Sequence, residues 1–232
     1  MHSSPLVELS KDEWLKKFRG YWSQGEHVLI LGPTGSGKTT IALDILSVRD
    51  YVCVVAVKRV DETLNLFRKQ GYKVITKWPP HYTSHKIIFW KKPQSLSDDL
   101  NTQARAIHHV LNQLYLSGGW CVYLDEAGYV AGTLGLHRDI GVLLNQGRST
   151  FLSVVITVTR PSSVVARVPK EALNQPRHKL IFRFVNEDEI KACASIIGMD
   201  WKRMLAIHQS LGKHDFICLR EQDVVIVRNT KG

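Results

Sequence analysis

Apolar residues follow two habits along this chain of 232 residues. They gather in short unbroken runs, or they recur at every third or fourth position. The runs at His27–Leu31, Tyr51–Val57, Lys86–Trp90, Trp120–Leu124, Ser153–Thr159 and Lys179–Phe184 are rich in Val and Ile. Such runs suit strands buried on both faces of a parallel sheet. A shorter run at Lys73–Thr76 predicts another strand. Helical patterns lie between them. Ser10 and Glu13 form a capping box that opens an amphipathic helix with Trp14, Leu15 and Phe18 on its apolar side. Gly20–Gly25 form a turn, and Thr40–Leu46 predicts a helix. Asp61 caps another helix that runs to about Gln70, where Gly71 ends it. Ser97 starts the longest helix, with Asp98 and Asp99 placed where the helix dipole favours them. Its buried stripe is Leu100, Ala104, Ile107, Leu111 and Leu114, and Gly118–Gly119 end it.

Later helices are expected near Arg138–Gln146, from a second capping box at Asn186 and Glu189 to Gly198, and over Trp201–Ser210. Phe216–Leu219 and Val224–Arg228 read as a hairpin. Strands alternating with helices predict an α/β fold, a mainly parallel sheet with helices on both faces and a C-terminal hairpin. A helical extension over 1–25 would precede one domain over 26–232.

Composition changes this picture little. Hydrophobic residues make up 44% and charged residues 22%, ordinary for a folded α/β protein. No run approaches the ~18 apolar residues of a membrane span, so no membrane insertion is expected. The first residues lack a signal-peptide core, which predicts a cytoplasmic protein. Cys53, Cys121, Cys193 and Cys218 are far apart in apolar segments, as suits buried reduced thiols. Charge adds more. The net charge is +10, spread over Lys16–Arg19, Lys58–Arg59, Arg68–Lys77, Lys86–Lys92, Arg160–Arg183 and Lys202–Arg203. That excess fits a polyanionic partner.

The candidate chemistry begins at Gly32–Thr39, GPTGSGKT, which matches the phosphate-binding loop G-x-x-x-x-G-K-[ST] at every fixed position. The expected nucleotide-binding residues are Gly32, Pro33, Thr34, Gly35, Ser36, Gly37, Lys38, Thr39 and Thr40. Glycines let backbone N–H groups converge on phosphate oxygens, and Lys38 adds a mobile charge at the β- and γ-phosphates. Trp120–Glu126, WCVYLDE, is an apolar strand ending in two carboxylates. Asp125 with the Thr39 hydroxyl would hold Mg²⁺, and Glu126 would activate water. A water-activating carboxylate favours an ATPase over a small-molecule kinase. The guanine motif N-K-x-D is absent, since Asn229–Gly232 reads NTKG, so ATP is the expected nucleotide.

A further strand, VVITVT, ends at Thr159 and continues Arg160-Pro161-Ser162, with Leu180–Phe184 later in the chain. GPTGSGKT, LDE, T-R-P-S and HKLIFRF in this order resemble the FtsK–HerA superfamily of DNA-pumping ATPases over about residues 27–230. The strand at Val52–Val57 with Lys58-Arg59 after it is similar to the superfamily's strand ending near a basic residue. The resemblance implies a three-layer RecA-like P-loop core that works as a homo-oligomeric ring, pentameric or hexameric, on DNA without regard to sequence. It also gives Thr159 the place of a γ-phosphate sensor, where the superfamily carries Gln. An Arg reaching a neighbour's nucleotide would be Arg148 first, then Arg160 or Arg183. The compact length looks like viral and phage genome-packaging ATPases, which implies a capsid or procapsid partner and a host-cytoplasmic or virion-associated location. Two other readings remain open from the residues: a phosphotransferase for a small substrate, and a nucleotide-gated binding or secretion factor. Gly128–Gly135, with three glycines and Tyr129, reads either as a loop that moves with the nucleotide and touches DNA in a ring pore or as a plain flexible connection. Trp78–His85 reads as a loop with a capacity for base stacking, and His81 and His85 do not make a metal site.

Overall fold

A computed structural model describes residues 6–80, 84–93, 99–164, 168–221 and 223–229, without the side chains of 99, 163 and 164. Among the described residues one sheet forms the middle layer. Its centre is β2 (Val28–Leu31), flanked by β7 (Ser153–Val158) and β8 (His178–Phe182). Beyond β7 lie β6 (Cys121–Leu124), β3 (Val52–Ala56), β5 (Lys86–Trp90) and the edge strand β4 (Lys73–Ile75). Beyond β8 lie β9 (Phe216–Arg220), β10 (Asp223–Arg228) and the opposite edge β1 (Val7–Ser10). All neighbours are parallel except the pairs β8–β9 and β9–β10. The C-terminal hairpin therefore reverses direction, and β1 adds to it in parallel.

Successive side chains on a strand point to opposite faces, and β2 divides accordingly. Leu29 and Leu31 join one core, while Val28 and Ile30 join the other, all fully buried. The first core lies under α4 (Asp99–Ser117), α5 (His137–Gln146), α7 (Lys170–Asn174), α8 (Glu187–Ile197) and α9 (Trp201–Ser210). The second lies under α1 (Lys11–Tyr21), α2 (Lys38–Leu46) and α3 (Leu64–Lys69). The short α6 (Pro161–Val164) follows β7. Truncating a central residue such as Ile30 to Ala would cost about 2–5 kcal/mol, since the void cannot close between two packed layers.

The stripe expected on the longest helix is buried through Ile107, Leu111 and Leu114, whereas Ser97 and Asp98 lie outside the described residues. Ser10 ends β1 and caps α1: its hydroxyl accepts from Glu13 N at 3.3 Å, and Glu13 Oε2 accepts from Ser10 N at 2.9 Å. At α8 the box is not reciprocal. Asn186 accepts from Asp188 N and Glu189 N, but the Glu189 carboxylate reaches Ser162 N and Oγ at 2.8 and 2.7 Å, tying α8 to α6. The N-terminal segment expected as a helical extension contributes the strand β1 as well, and Trp14 and Phe18 of α1 are buried in the second core. Gly128–Gly135 is no loose connection. It contains a π-helical turn, Tyr129–Thr133, with Val130 and Ala131 fully buried.

Candidate active site

The parallel strands deliver the motifs to one rim of the sheet, their carboxy-terminal ends. Gly32 N donates to Val158 O at 3.1 Å, one step beyond the β2–β7 ladder, and the chain then curls. Gly35 (φ 76°) and Gly37 (φ 107°) take left-handed conformations that side chains resist, and Gly37 caps α2. A Cβ on Gly32 would lie 2.6 Å from Ser36 Oγ and 2.8 Å from Phe182 Cβ. The loop thus presents the free N–H groups of the α2 amino terminus, a ready anion site. Ser36 is 3% exposed, and its hydroxyl has no hydrogen-bond partner among the described residues. Lys38 Nζ folds back onto Pro33 O at 2.9 Å. Burial pulls its pKa below the usual lysine value, against the opposing pull of Asp125 and Glu126.

The carboxylate pair sits two strands away, at the end of β6. The Thr157 hydroxyl donates to Asp125 Oδ1 at 2.7 Å and accepts from Glu126 N at 3.2 Å. The Tyr123 hydroxyl also donates to Asp125 Oδ1, at 3.3 Å. Burial pushes that phenol well above its ordinary pKa, so it stays a donor. Two buried side chains, Tyr123 and Thr157, therefore orient the Asp125 carboxylate. Among the described residues Asp125 Oδ2 makes no hydrogen bond, and a hard cation takes oxygen ligands of this kind. Thr39 and Asp125 thus fit a Mg²⁺ ion.

Glu126 has φ 62°, a left-handed backbone that side chains rarely adopt. Its carbonyl accepts from both Tyr129 N and Val130 N, at 2.8 and 3.3 Å, where the π-helical turn begins. Strain and π-helical turns concentrate at functional sites. Lys58, two residues past β3, places Nζ 3.2 Å from Glu126 Oε1 and 3.7 Å from Asp125 Oδ2. Partial burial pulls the lysine pKa down, but Asp125 and Glu126 outweigh it and hold the ammonium above its usual value. On the other side of the loop, a cavity of about 390 Å³ is lined by Gly37, Thr40, Ile41, Phe182 and His214. His214 Nδ1 lies 2.9 Å from Ser36 O.

The sequence-derived residues therefore divide. Gly32 to Thr40, Asp125 and Glu126 meet on this rim, and Thr159 joins them one residue past Val158. Arg160 and Arg183 follow β7 and β8 on the same rim. Arg148 does not join them. It lies in a 3-10 turn, Gly147–Thr150, before β7, and packs against Gly25 at the amino-terminal ends of the strands. The four residues of β2, about 13 Å of strand, separate that end from the loop. Sequence reasoning missed Tyr123 and Thr157, because apolar and β-branched strand positions read as core. It noted Lys58 as a basic strand end but not its partners. His81 lies outside the described residues, and none of those described form a cluster of three or more His, Cys, Asp or Glu suited to a metal.

No protein-family model matches the chain, and no curated protein sequence matches it. Solved structures do. The genome packaging NTPase B204 from Sulfolobus turreted icosahedral virus 2, in complex with AMP, superposes with a TM-score of 0.64 at 14% identity. That match covers 88% of this chain and 98% of B204. VirB4 of Thermoanaerobacter pseudethanolicus gives a TM-score of 0.68 at 10% identity, over 89% of each chain. The pCW3 conjugation coupling protein TcpA, with ATPγS, gives 0.56 at 16% identity, over 97% of this chain and 69% of that one. The chain has the mostly parallel RecA-like P-loop fold of these structures.

Proposed function

We propose that this chain is a Mg²⁺-dependent ATPase that works as a homo-oligomeric ring and moves double-stranded DNA, in the manner of viral genome packaging. The observation that supports it most is the placing of the phosphate loop and the Asp125–Glu126 pair on one rim of the sheet, with Tyr123 and Thr157 orienting Asp125. The loop amides and Lys38 would bind the phosphates, and the cavity beside Thr40 and Phe182 has room for the nucleoside. Thr39 and Asp125 would hold Mg²⁺, whose charge offsets that of the β- and γ-phosphate oxygens when bound. Glu126 would take the proton from an attacking water, and Thr159, at the loop's entry, would meet the γ-phosphate. Lys38 and Glu126 are the residues this reading places in the chemistry.

Three features support the DNA part. The net charge of +10 suits a polyanion, the T-R-P-S strand end resembles DNA-pumping ATPases, and a fold neighbour is a genome packaging NTPase. The partners would be DNA of any sequence, further copies of the chain and a capsid or procapsid component. No helix among the described residues is long and apolar enough to cross a membrane. The test is ATP turnover with and without duplex DNA, alongside mass in solution. The expected result is a multimer whose turnover rises with DNA and whose DNA binding weakens steeply with salt. Stimulation by small phosphate acceptors in a monomer would favour a phosphotransferase instead.

A further inference from the structure

Lys58 is built into its place from behind. Trp90 Nε1 donates to Lys58 O at 2.8 Å, and the buried Gln103 amide donates to Val57 O at 3.0 Å and to Lys91 O at 2.9 Å. Two donors from neighbouring elements thus fix the backbone on which the lysine stands. Its side chain remains 43% exposed and borders a cavity of about 320 Å³ shared with Arg59, Pro93, Glu126 and Tyr129. The backbone is held by hydrogen bonds, and the ammonium borders open space.

Strand order gives this contact a direction. From the loop outward the sheet runs β2, β7, β6, β3, so the carboxylates lie between the phosphate loop and Lys58. Lys38 draws on them from the loop side, and Lys58 holds them from the far side. A carboxylate oxygen held by an ammonium at 3.2 Å is occupied and is not free to meet a water. Asp125 cannot serve both a lysine and a divalent cation at full strength, because the two cations repel each other.

We propose that Lys58 is a positioning residue that parks Glu126 on the side away from the phosphate loop until bound Mg²⁺–nucleotide releases it. This rests on the ATPase reading above, and its tests separate the two. The first is a thermal double-mutant cycle on Lys58→Met and Glu126→Gln, without nucleotide and then with saturating Mg²⁺ and the β,γ-methylene analogue of ATP. A half-exposed ion pair in a chain of this size should give a coupling of about 1–2 °C in melting temperature without nucleotide. That coupling should vanish with the analogue. Additive melting shifts without nucleotide, or a coupling that persists with it, would overturn the proposal.

The second test is ATP turnover without DNA. Lys58→Met should raise kcat severalfold with KM unchanged, and Lys58→Arg should restore the low rate. A fall of kcat in Lys58→Met would overturn parking, since the lysine would then serve the reaction directly. If the unaltered protein hydrolyses no ATP beyond Lys38→Ala, the ATPase reading fails, and the thermal cycle still decides the role of Lys58.

Discussion

The two rims of the sheet use buried charge in opposite ways. At the amino-terminal rim, Glu26 accepts from Arg177 at 2.6 Å, from His178 Nε2 at 2.9 Å and from Ser23 N at 3.1 Å. Next to it, His27 Nε2 donates to Leu144 O at 3.1 Å while Nδ1 accepts from Val154 N at 3.0 Å, so both ring nitrogens are committed. At the carboxy-terminal rim, Lys38 leans on a loop carbonyl, the Ser36 hydroxyl has no partner among the described residues, and Lys58 spans two carboxylates. Three donors meet the Glu26 carboxylate, although the buried His178 Nδ1 beside it has no partner among the described residues, whereas the groups on the second rim keep capacity for a ligand.

Arg148 gives this contrast its severest test, because it lies on the rim away from the phosphate loop yet is expected to act on a neighbour's nucleotide. Arg148→Ala should lower turnover by about 10³-fold or more if it neutralises transition-state charge in trans. Mixing it with Lys38→Ala should recover part of the activity, as some interfaces then carry both an intact loop and Arg148. Near-normal turnover in Arg148→Ala would return the whole amino-terminal rim to structure and move attention to Arg160 and Arg183.

Glu126→Gln keeps shape and removes the base. It should still bind ATP and lose about 10²–10⁴-fold in kcat. Undiminished turnover there would remove the chemistry from this rim. Thr157→Val is a subtler probe, isosteric but without the hydroxyl that orients Asp125 and receives Glu126 N. A loss of about 10–100-fold is expected, as for other groups that orient metal ligands, with melting temperature shifting only slightly. An unchanged rate would show that Tyr123 alone can hold Asp125.

The smallest effect belongs to the histidines. Burial lowers the pKa of His27 and His208 to about 4, whereas unfolded histidine titrates near 6.5. Between those values the unfolded chain binds more protons, so stability falls as pH drops from about 6.5 toward 4. The loss should be on the order of 1–3 kcal/mol per histidine, read from urea midpoints at pH 7 and pH 5. Carboxylates such as Glu26, whose pKa is also lowered, add to the loss only further down. A flat profile between pH 7 and pH 5 would mean that these rings are not kept neutral by the fold.

Much of this was legible in the sequence because its signals are local. Continuous Val-Ile runs, the glycine spacing of the loop and the box at Ser10 each fix their own neighbourhood, and the central strands and main helices follow. What escaped depends on distant partners. Val7–Ser10 holds too few apolar residues to read as a strand and becomes one through its register with Val225–Arg228. Glycines in Gly128–Gly135 suggested slack, but the Glu126 carbonyl collects two amides and winds the segment into a buried π-helical turn. Thr157 looks like any β-branched core residue until its neighbour strand supplies Asp125.

The pairing of β1 with β10 also has a mechanical meaning. The two strands are parallel, so tension drawn between the residues before Val7 and those after Arg228 loads their ladder in shear, all rungs together. The doubled contact of Arg228 with Glu8, at 2.7 and 3.1 Å, is a bolt across that joint. Arg228 also grips Asp215 at 3.0 Å, and the adjacent His214 rests on the phosphate loop at Ser36. A pull on the last strand is therefore passed through Asp215 and the adjacent His214 to the loop that carries Ser36.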